Sequence, residues 1–256
     1  MCIRDREEQQ IRKEQPGRRV KGQRIRDRLA VPVHETFRVA ALLALVGGFL
    51  DAYTYLMRGG VFANAQTGNM VLLGLKIAEG NIEKAVYYLI PIAAFALGVF
   101  VTEVIKKYGA MREMGRLEHW IIAIEMILIL IVGFVPQSVP DAAVNITISF
   151  VCSLQVNSFR TMKSLPYATT MCTGNLRSGT EKLFRFLINK EEKAGIQAAH
   201  YFGIIGIFIV GAILGALLCG IFGVHSVWFC CLLLLIVFLT CLLYTSDAAD
   251  DLTRVD

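Results

Sequence analysis

The sequence lacks the short motifs that mark the common enzyme classes. Gly-x-Ser-x-Gly, His-Glu-x-x-His, the Walker loop and the dinucleotide-binding glycine fingerprint are all absent. Seven cysteines are present, but none has Cys-x-x-Cys spacing and no paired histidines accompany them, so neither a zinc site nor a disulfide framework is indicated. We therefore expect no enzyme activity, no cofactor and no metal.

Charged residues are also scarce. They make up 18% of the 256-residue chain, while 55% of the residues are hydrophobic and the mean hydropathy is +0.55. An ordinary soluble domain has an apolar share of about 45–50%. No short apolar core with a small-residue cleavage site opens the chain, so we expect no signal peptide. The composition predicts an integral membrane protein.

Both ends of the chain are expected to be foreign sequence. Back-translated, residues 1–6 fit a transposase mosaic end used in sequencing libraries. Residues 241–256 fit the reverse complement of that end together with its adjoining adapter. The alternative is that they are a genuine basic tail and a genuine acidic tail. Because such scars are kept out of fold reasoning, the native fold is expected within residues 7–240.

Six stretches are apolar and long enough to cross a bilayer, which takes about 20 residues. They cover residues 37–57, 84–105, 118–135, 142–162, 198–222 and 225–240. Two shorter segments, residues 67–78 and 173–188, both begin with Thr-Gly-Asn and are expected to be half-helices. The predicted fold is all-α, a polytopic membrane helix bundle of about six spanning helices plus two short half-helices.

The two Thr-Gly-Asn sites predict an internal duplication. Superposing Thr67 on Thr173 aligns the first span with the fourth and Phe95 with Phe208 after a small shift. The chain then divides into a basic tail and two membrane repeats. These domains are residues 1–36, 37–135 and 136–240.

Lysine and arginine set the expected orientation. They concentrate in the first 36 residues, in residues 106–116 and in residues 160–193, and cytoplasmic loops are rich in both. We therefore expect both termini in the cytoplasm. Three spans per repeat then invert the second repeat relative to the first, as in many transporter folds.

Asp51 is the leading candidate for a functional residue. It lies inside an apolar run, where a carboxyl group is costly unless it is paired, protonated or hydrated, and such acids usually serve ion or proton pathways. The alternative is a structural acid neutralised by Arg58. At the equivalent place in the second repeat, Gln155 and Asn157 would supply a neutral amide pair.

Glu125 is the second candidate acid within a span. It lies several residues inside the third apolar stretch. Two interpretations remain equally open. Glu125 either belongs to an ion or proton pathway, or it is a buried acid that faces Arg160, His119 or an amide.

The polar break after the first span, residues 64–69, completes the candidate site. Irregular backbone at membrane depth is tolerated where protein buries it or where it lines a cavity. The threonine of Thr-Gly-Asn can cap a helix, the glycine allows close backbone approach, and free N–H groups attract an anion or a carboxylate. Ordinary helix capping is the alternative. The expected substrate or ion site comprises Asp51, Asn64, Gln66, Thr67, Gly68, Asn69, Glu125, Gln155, Asn157, Thr173, Gly174 and Asn175.

Three motifs carry a resemblance to a known family. They are Gly-Gly-Phe-Leu-Asp-Ala-Tyr-Thr-Tyr from residue 47, Gly-Gly-Val-Phe-Ala-Asn-Ala-Gln-Thr-Gly-Asn-Met from residue 59, and Gln-Val-Asn-Ser-Phe-Arg from residue 155. Over residues 36–240 the chain resembles the YoaK-like bacterial membrane proteins of unknown function. The resemblance implies a bacterial inner-membrane protein of about six spans without an established substrate.

Two functions remain open from the sequence. One is a small-solute transporter or channel-like permease with a polar site near Asp51 and the two half-helices. The other is a non-transporting membrane scaffold whose polar residues fix helix packing. We expect a lipid bilayer and an unidentified small solute or ion as partners and no nucleic acid, with homo-oligomer formation left open. A hydrated cavity that reaches Asp51 would favour transport.

Overall fold

The computed structural model describes residues 36–108, 116–162, 165–167, 170 and 172–253. In this part of the chain the helices are α1 (Phe37–Met57), α2 (Gln66–Ala78), α3 (Ile82–Tyr108), α4 (Arg116–Val132), α5 (Asp141–Ser158), α6 (Cys172–Asn189), α7 (Glu192–Phe222) and α8 (Trp228–Thr253). The prediction of an all-α fold is confirmed. The predicted basic tail lies outside the described residues except for Thr36, whose hydroxyl accepts from the Val39 N–H and caps α1.

Two helices have C-terminal ends four or more residues away from the predicted ones. Helix α5 ends at Ser158 rather than at residue 162, because Phe159 leaves the helical region with φ −101° and ψ 67°. A two-residue strand β1 (Thr161–Met162) then pairs antiparallel with β2 (Leu165–Pro166). Helix α8 continues to Thr253, through the segment that the sequence predicts to be foreign. The origin of that segment stays a prediction.

The helices present an apolar surface to their surroundings. Among the described residues, three helical stretches are long and apolar enough to cross a membrane: Phe37–Met57, Ile82–Tyr108 and Glu192–Leu242. The last of them contains α7 and α8, joined by a 3-10 turn at Gly223–Val227. Large apolar side chains such as Phe100 lie exposed along these helices. That surface suits lipid contact, while the exact number of spans stays a prediction.

Helix α1 is the buried centre of the bundle and crosses α7 at backbone contact. A Cβ added to Gly48 would overlap a carbonyl group of α7, and one added to Gly211 would overlap a carbonyl group of α1. Small residues let helices approach this closely where lipid offers no hydrophobic driving force. The glycines Gly48 and Gly211 therefore allow the close packing of α1 on α7.

The helix pairs follow a regular scheme. Helix α1 packs on α7 and α3 on α5, α2 packs on α3 and α6 on α7, and α4 packs on α5 and α8 on α1, with a further contact between α4 and α8. Exchanging α1–α4 for α5–α8 in order converts this set of pairs into itself. Helix α3 also crosses α5 through a glycine, since a Cβ on Gly98 would lie 2.7 Å from the Phe150 carbonyl oxygen.

Candidate functional site

Asp51 ties the polar break to α1. It lies on the buried side of the helix with 5% of its surface exposed. Its Oδ1 accepts a hydrogen bond of 2.7 Å from the Asn64 backbone N–H, and the Asn64 side-chain amide donates to the Gly47 carbonyl at 3.3 Å. The second carboxylate oxygen, Oδ2, has no hydrogen-bond partner among the described residues. One carboxylate oxygen therefore has a structural role, and the other is buried without a described hydrogen-bond partner.

Amide side chains supply hydrogen-bond partners to backbone groups in and next to the break. The Asn69 Oδ1 accepts from the Phe62 N–H at 3.0 Å, and its Nδ2 donates to the Phe62 carbonyl at 2.7 Å and to the Gln66 Oε1 at 2.9 Å. The Gln66 Nε2 donates to the Ala63 carbonyl at 2.8 Å. Non-helical backbone at membrane depth requires such partners. Asn69 therefore holds the break in shape and does not line its open side.

The starts of the two half-helices differ from the predicted capping. Helix α2 begins at Gln66, its N-cap residue is Ala65, and no side chain caps it, so the prediction that Thr67 caps this helix is wrong. The physical reason is that the Asp51 carboxylate fixes the backbone just before Ala65, so the helix begins one residue before Thr67. Thr173 is likewise the second residue of α6.

The glycines of the two half-helices are not equivalent. A Cβ on Gly68 would lie 2.9 Å from the ring of Phe62, so the small residue makes room for an aromatic side chain. Gly174 has no described atom within 4 Å of a Cβ position. The predicted close backbone approach is therefore wrong for Gly174, which faces open space.

A cavity of about 560 Å³ brings Asp51 and both half-helix starts together. We call it the Asp51 cavity. Among its described lining residues, Asp51 is the one carboxylate, and no lysine, arginine or histidine is present. The lining residues are Asp51, Ala52, Tyr55, Leu56, Phe62, Asn64, Ala65, Gln66, Thr67, Phe95, Thr170, Cys172, Thr173, Gly174, Phe208 and Ala212.

A second cavity of about 450 Å³, the Asn157 cavity, adjoins the first. Phe95 and Gly174 line both cavities and form the wall between them. Its lining residues are Phe95, Val99, Val156, Asn157, Arg160, Pro166, Tyr167, Gly174, Asn175 and Ser178. Asp51 and Asn157, which the predicted repeat aligns with each other, thus line different cavities.

Asn157 is anchored next to basic residues. Its Nδ2 donates to the Glu103 carboxylate at 2.8 Å, and the Lys106 ammonium donates to the Asn157 carbonyl at 2.6 Å. Lys106 and Glu103 also form an ion pair at 3.1 Å. The Asn157 cavity therefore has basic residues, Lys106 and Arg160, near it, where the Asp51 cavity has none among its described lining residues.

Arg58 has partners other than Asp51. The buried guanidinium lies 3.6 Å from the Asp141 carboxylate, donates to the Val135 carbonyl at 2.8 Å and donates to the Tyr53 hydroxyl at 3.2 Å. These contacts fix the end of α1 against the start of α5. The alternative in which Arg58 neutralises Asp51 is therefore wrong.

Glu125 and Gln155 lie outside both cavities. Glu125 is fully buried on α4, and neither of its carboxylate oxygens has a hydrogen-bond partner among the described residues, so it does not face the amide that one interpretation expected. Gln155 is buried on α5, and its Nε2 is equally without a described partner. Cys152 lies within electrostatic range of both Glu125 and Asp51. Glu125 is thus not among the described residues that line the Asp51 cavity.

Aromatic side chains form much of the Asp51 cavity, and the sequence reasoning missed them. Tyr55 and Phe62 stack with ring centroids 5.0 Å apart, and Phe95 and Phe208 contribute from α3 and α7. An apolar residue in a span gives no sign of whether it faces lipid or a cavity. The alignment of Phe95 with Phe208 across the repeats was the one available signal.

Comparison with known proteins places the chain among membrane proteins. A family model described as "Protein of unknown function (DUF1275)" matches residues 39–240. The chain is 27% identical over 191 residues to the UPF0700 transmembrane protein YoaK of Bacillus subtilis (strain 168), which covers 69% of this chain and 81% of that relative. No solved structure matches the chain. The resemblance drawn from the motifs is confirmed, and the chain is an integral membrane protein.

Proposed function

The chain belongs to the DUF1275 family of proteins of unknown function, and from this premise we propose that it is a small-solute transporter or channel-like permease. The proposed polar site is the Asp51 cavity with the starts of α2 and α6. The observation that carries the proposal is a cavity large enough for a small molecule that is lined by Asp51, whose buried carboxylate has one oxygen without a described partner. Acids within a membrane are costly, and ion or solute paths are where they usually occur.

The arrangement of the helices supports two inverted repeats. The helix pairs are unchanged when α1–α4 and α5–α8 are exchanged, and the close glycine crossings of α1 with α7 and of α3 with α5 correspond under that exchange. Transporters with inverted repeats bind substrate where broken helices meet at the repeat interface. The Asp51 cavity lies between the two half-helices in this way.

The shared wall of the two cavities supports alternating access. The Asp51 cavity and the Asn157 cavity both contact Phe95 and Gly174, so a solute has one thin partition to pass. Movement of α3 relative to α6 would shift this partition. Rocking of one repeat against the other supplies such a movement in related architectures.

The proposed location is the bacterial cytoplasmic membrane, with the N-terminus in the cytoplasm. Asp51 lies about 21 Å along α1 from Phe37, at a rise of about 1.5 Å per residue, which puts it past the middle of a hydrocarbon core of about 30 Å. The Asn157 cavity lies near Lys106 and Arg160, and cytoplasmic loops favour such residues. The Asp51 cavity would then open outward and the Asn157 cavity inward.

Impermeant labelling tests this orientation. In a cysteine-free background, a cysteine at Gln137 should react with a membrane-impermeant maleimide added to intact cells. A cysteine at Gly109, which lies outside the described residues, should react only after the cells are opened. Labelling of both from the same side would contradict the proposed topology.

Solute profiling tests transport. A strain that lacks the gene is compared with strains that express the wild-type chain, Asp51→Asn or the surface control Glu181→Gln at equal membrane abundance. We expect a solute whose accumulation is restored by the wild-type chain and by Glu181→Gln and is not restored by Asp51→Asn. Restoration by Asp51→Asn would contradict the proposed role of the carboxylate.

A non-transporting scaffold is the second candidate, and one observation favours it. The Asp51 Oδ1 holds the Asn64 N–H, so the acid has a structural task whether or not a solute binds. A scaffold predicts that Asp51→Ala and Asp51→Asn change only the amount of folded protein. Transport predicts that Asp51→Asn remains folded and loses flux.

A further inference from the structure

The only formal charge that lines the Asp51 cavity, among the described residues, is the Asp51 carboxylate. Its Oδ1 is occupied by the Asn64 N–H, while its Oδ2 has no described partner. The buried guanidinium of Arg58 is held by Asp141 and Val135 and does not compensate the charge. A carboxylate shielded from water in this way is stabilised by a proton or by a cation that enters the cavity.

The walls indicate what kind of cation fits. Tyr55, Phe62, Phe95 and Phe208 line the cavity, and the faces of aromatic rings attract cations within about 6 Å of the ring centroid. Leu56 adds aliphatic surface. A calcium ion takes six to eight oxygen ligands. In the described part of the chain, no group of three or more histidine, cysteine or acidic side chains could hold a metal ion.

The starts of α2 and α6 add a weaker contribution of opposite sign to the electrostatic potential in the cavity. Helix α2 has no side-chain cap, and Thr67 and Thr173 place the first turns of α2 and α6 at the cavity. Partial positive charge at a helix N-terminus amounts to about half an elementary charge and is screened beyond the first turn. The full charge of Asp51 therefore sets the sign of the ligand, and the helix starts suit a hydroxyl or carboxylate group on the same molecule.

We infer that the Asp51 cavity binds a small organic ammonium ion with an apolar or aromatic body. The ammonium group pairs with the Asp51 carboxylate, and the body lies against Tyr55, Phe62, Phe95 and Phe208. The cavity volume of about 560 Å³ falls within the range of small-molecule sites. This inference rests on the proposed function and names the substrate class of its site.

Binding of three matched probes tests whether the cavity selects a positively charged ligand. The full chain is purified in a mild detergent, and its thermal midpoint is measured with 2-phenylethylammonium, with the neutral 2-phenylethanol and with the anionic 3-phenylpropionate. We expect a saturable rise with the ammonium ion and a response at least tenfold weaker with the other two. Equal responses to the ammonium ion and the alcohol would overturn the inference, because they would show an apolar pocket without charge selection.

Two variants and one control locate the site. Asp51→Asn keeps an acceptor for the Asn64 N–H and removes the charge, so it should weaken ammonium binding at least tenfold. Tyr55 is half exposed, so Tyr55→Leu should fold and bind the ammonium ion severalfold more weakly. Glu181→Gln removes a surface carboxylate of α6 and should bind as the wild type does. Wild-type binding by a folded Asp51→Asn would overturn the inference.

A measurement of charge movement distinguishes failure of this inference from failure of the proposed function. Vesicles that contain the protein are adsorbed on a solid-supported electrode, and the current after addition of 2-phenylethylammonium is recorded. Sustained current with binding supports both statements. Saturable binding without sustained current would support the ligand class and contradict transport, whereas wild-type flux of another solute without ammonium binding would contradict the ligand class alone.

Discussion

Alanine substitutions at the α1–α7 crossing should destabilise the protein in an order that the structure sets. A Cβ on Gly48 would overlap the Phe208 carbonyl, so the two helices would have to move apart. A Cβ on Gly215 would lie 2.9 Å from the Phe49 carbonyl oxygen, which requires a smaller shift. Gly206, also on α7, has no described atom within 4 Å and serves as the matched control.

The expected magnitudes follow from two opposing effects. Alanine stabilises a helix over glycine by about 0.5–1 kcal/mol. Forcing extra volume into a packed interface costs about 1–3 kcal/mol. Gly206→Ala should therefore stabilise the protein by about 0.5–1 kcal/mol. Gly48→Ala should destabilise it by about 2 kcal/mol, with Gly215→Ala in between.

Thermal denaturation of the purified full chain in one detergent measures the series. A change of 1 kcal/mol shifts the midpoint by about 2–4 °C in a chain of this size. The midpoint should thus fall by about 4–8 °C for Gly48→Ala and rise slightly for Gly206→Ala. Equal midpoints for these two variants would refute the reasoning, since they would mean that α1 and α7 do not meet at backbone contact.

Three further predictions concern single residues and the end of the chain. Asp51→Ala removes the acceptor of the Asn64 N–H and should cost about 1–3 kcal/mol of stability, whereas Asp51→Asn keeps an acceptor and should cost less in the same thermal assay. Glu125→Met should raise the thermal midpoint, because both carboxylate oxygens lack a described partner, and a lower midpoint would reveal a polar partner. Long-read sequencing of the source locus should show that the codons for residues 241–256 are not continuous with genomic DNA on both sides, and continuity would contradict their foreign origin.

The sequence predicts the helical elements well because bilayer thickness constrains them strongly. A run of about 20 apolar residues in a membrane protein has few alternatives to a helix, and α1 covers the same residues as the predicted first span. The end of α5 was missed because Phe159 and Met162 are both apolar, so hydropathy marks no break before residue 162. Phe159 is buried in the folded protein, and burial depends on tertiary contacts that hydropathy does not contain.

The sequence predicted which polar residues could form the candidate site, but it did not predict which neighbours each of them contacts. Asp51, Asn64, Thr67 and Thr173 stand out because polar groups at membrane depth are rare, and the structure brings all four to one cavity. Glu125 stands out equally and lies elsewhere. The position and rotation of a helix decide between these outcomes, and hydropathy fixes neither of them.

The Asn69 side chain shows a further limit of sequence reasoning. Asn69 was predicted as a site residue because it follows Thr67 and Gly68. In the structure, both of its amide atoms hydrogen-bond with the Phe62 backbone or with Gln66. An asparagine can hydrogen-bond with four partners at most, and local backbone competes for them. Only the folded structure determines which hydrogen-bond partners the Asn69 side chain takes.

The thin wall of Phe95 and Gly174 has an electrical consequence. Water-filled cavities on its two sides would conduct, so the membrane potential would drop across the wall rather than evenly over the bilayer. A monovalent cation passing from the Asp51 cavity to the Asn157 cavity would then cross most of the field within one side chain's width, at about 2.3 kcal/mol per 100 mV. Cation uptake would be steeply voltage-dependent although the ion moves a short distance, and enlarging the wall residue would change the rate without changing the charge moved.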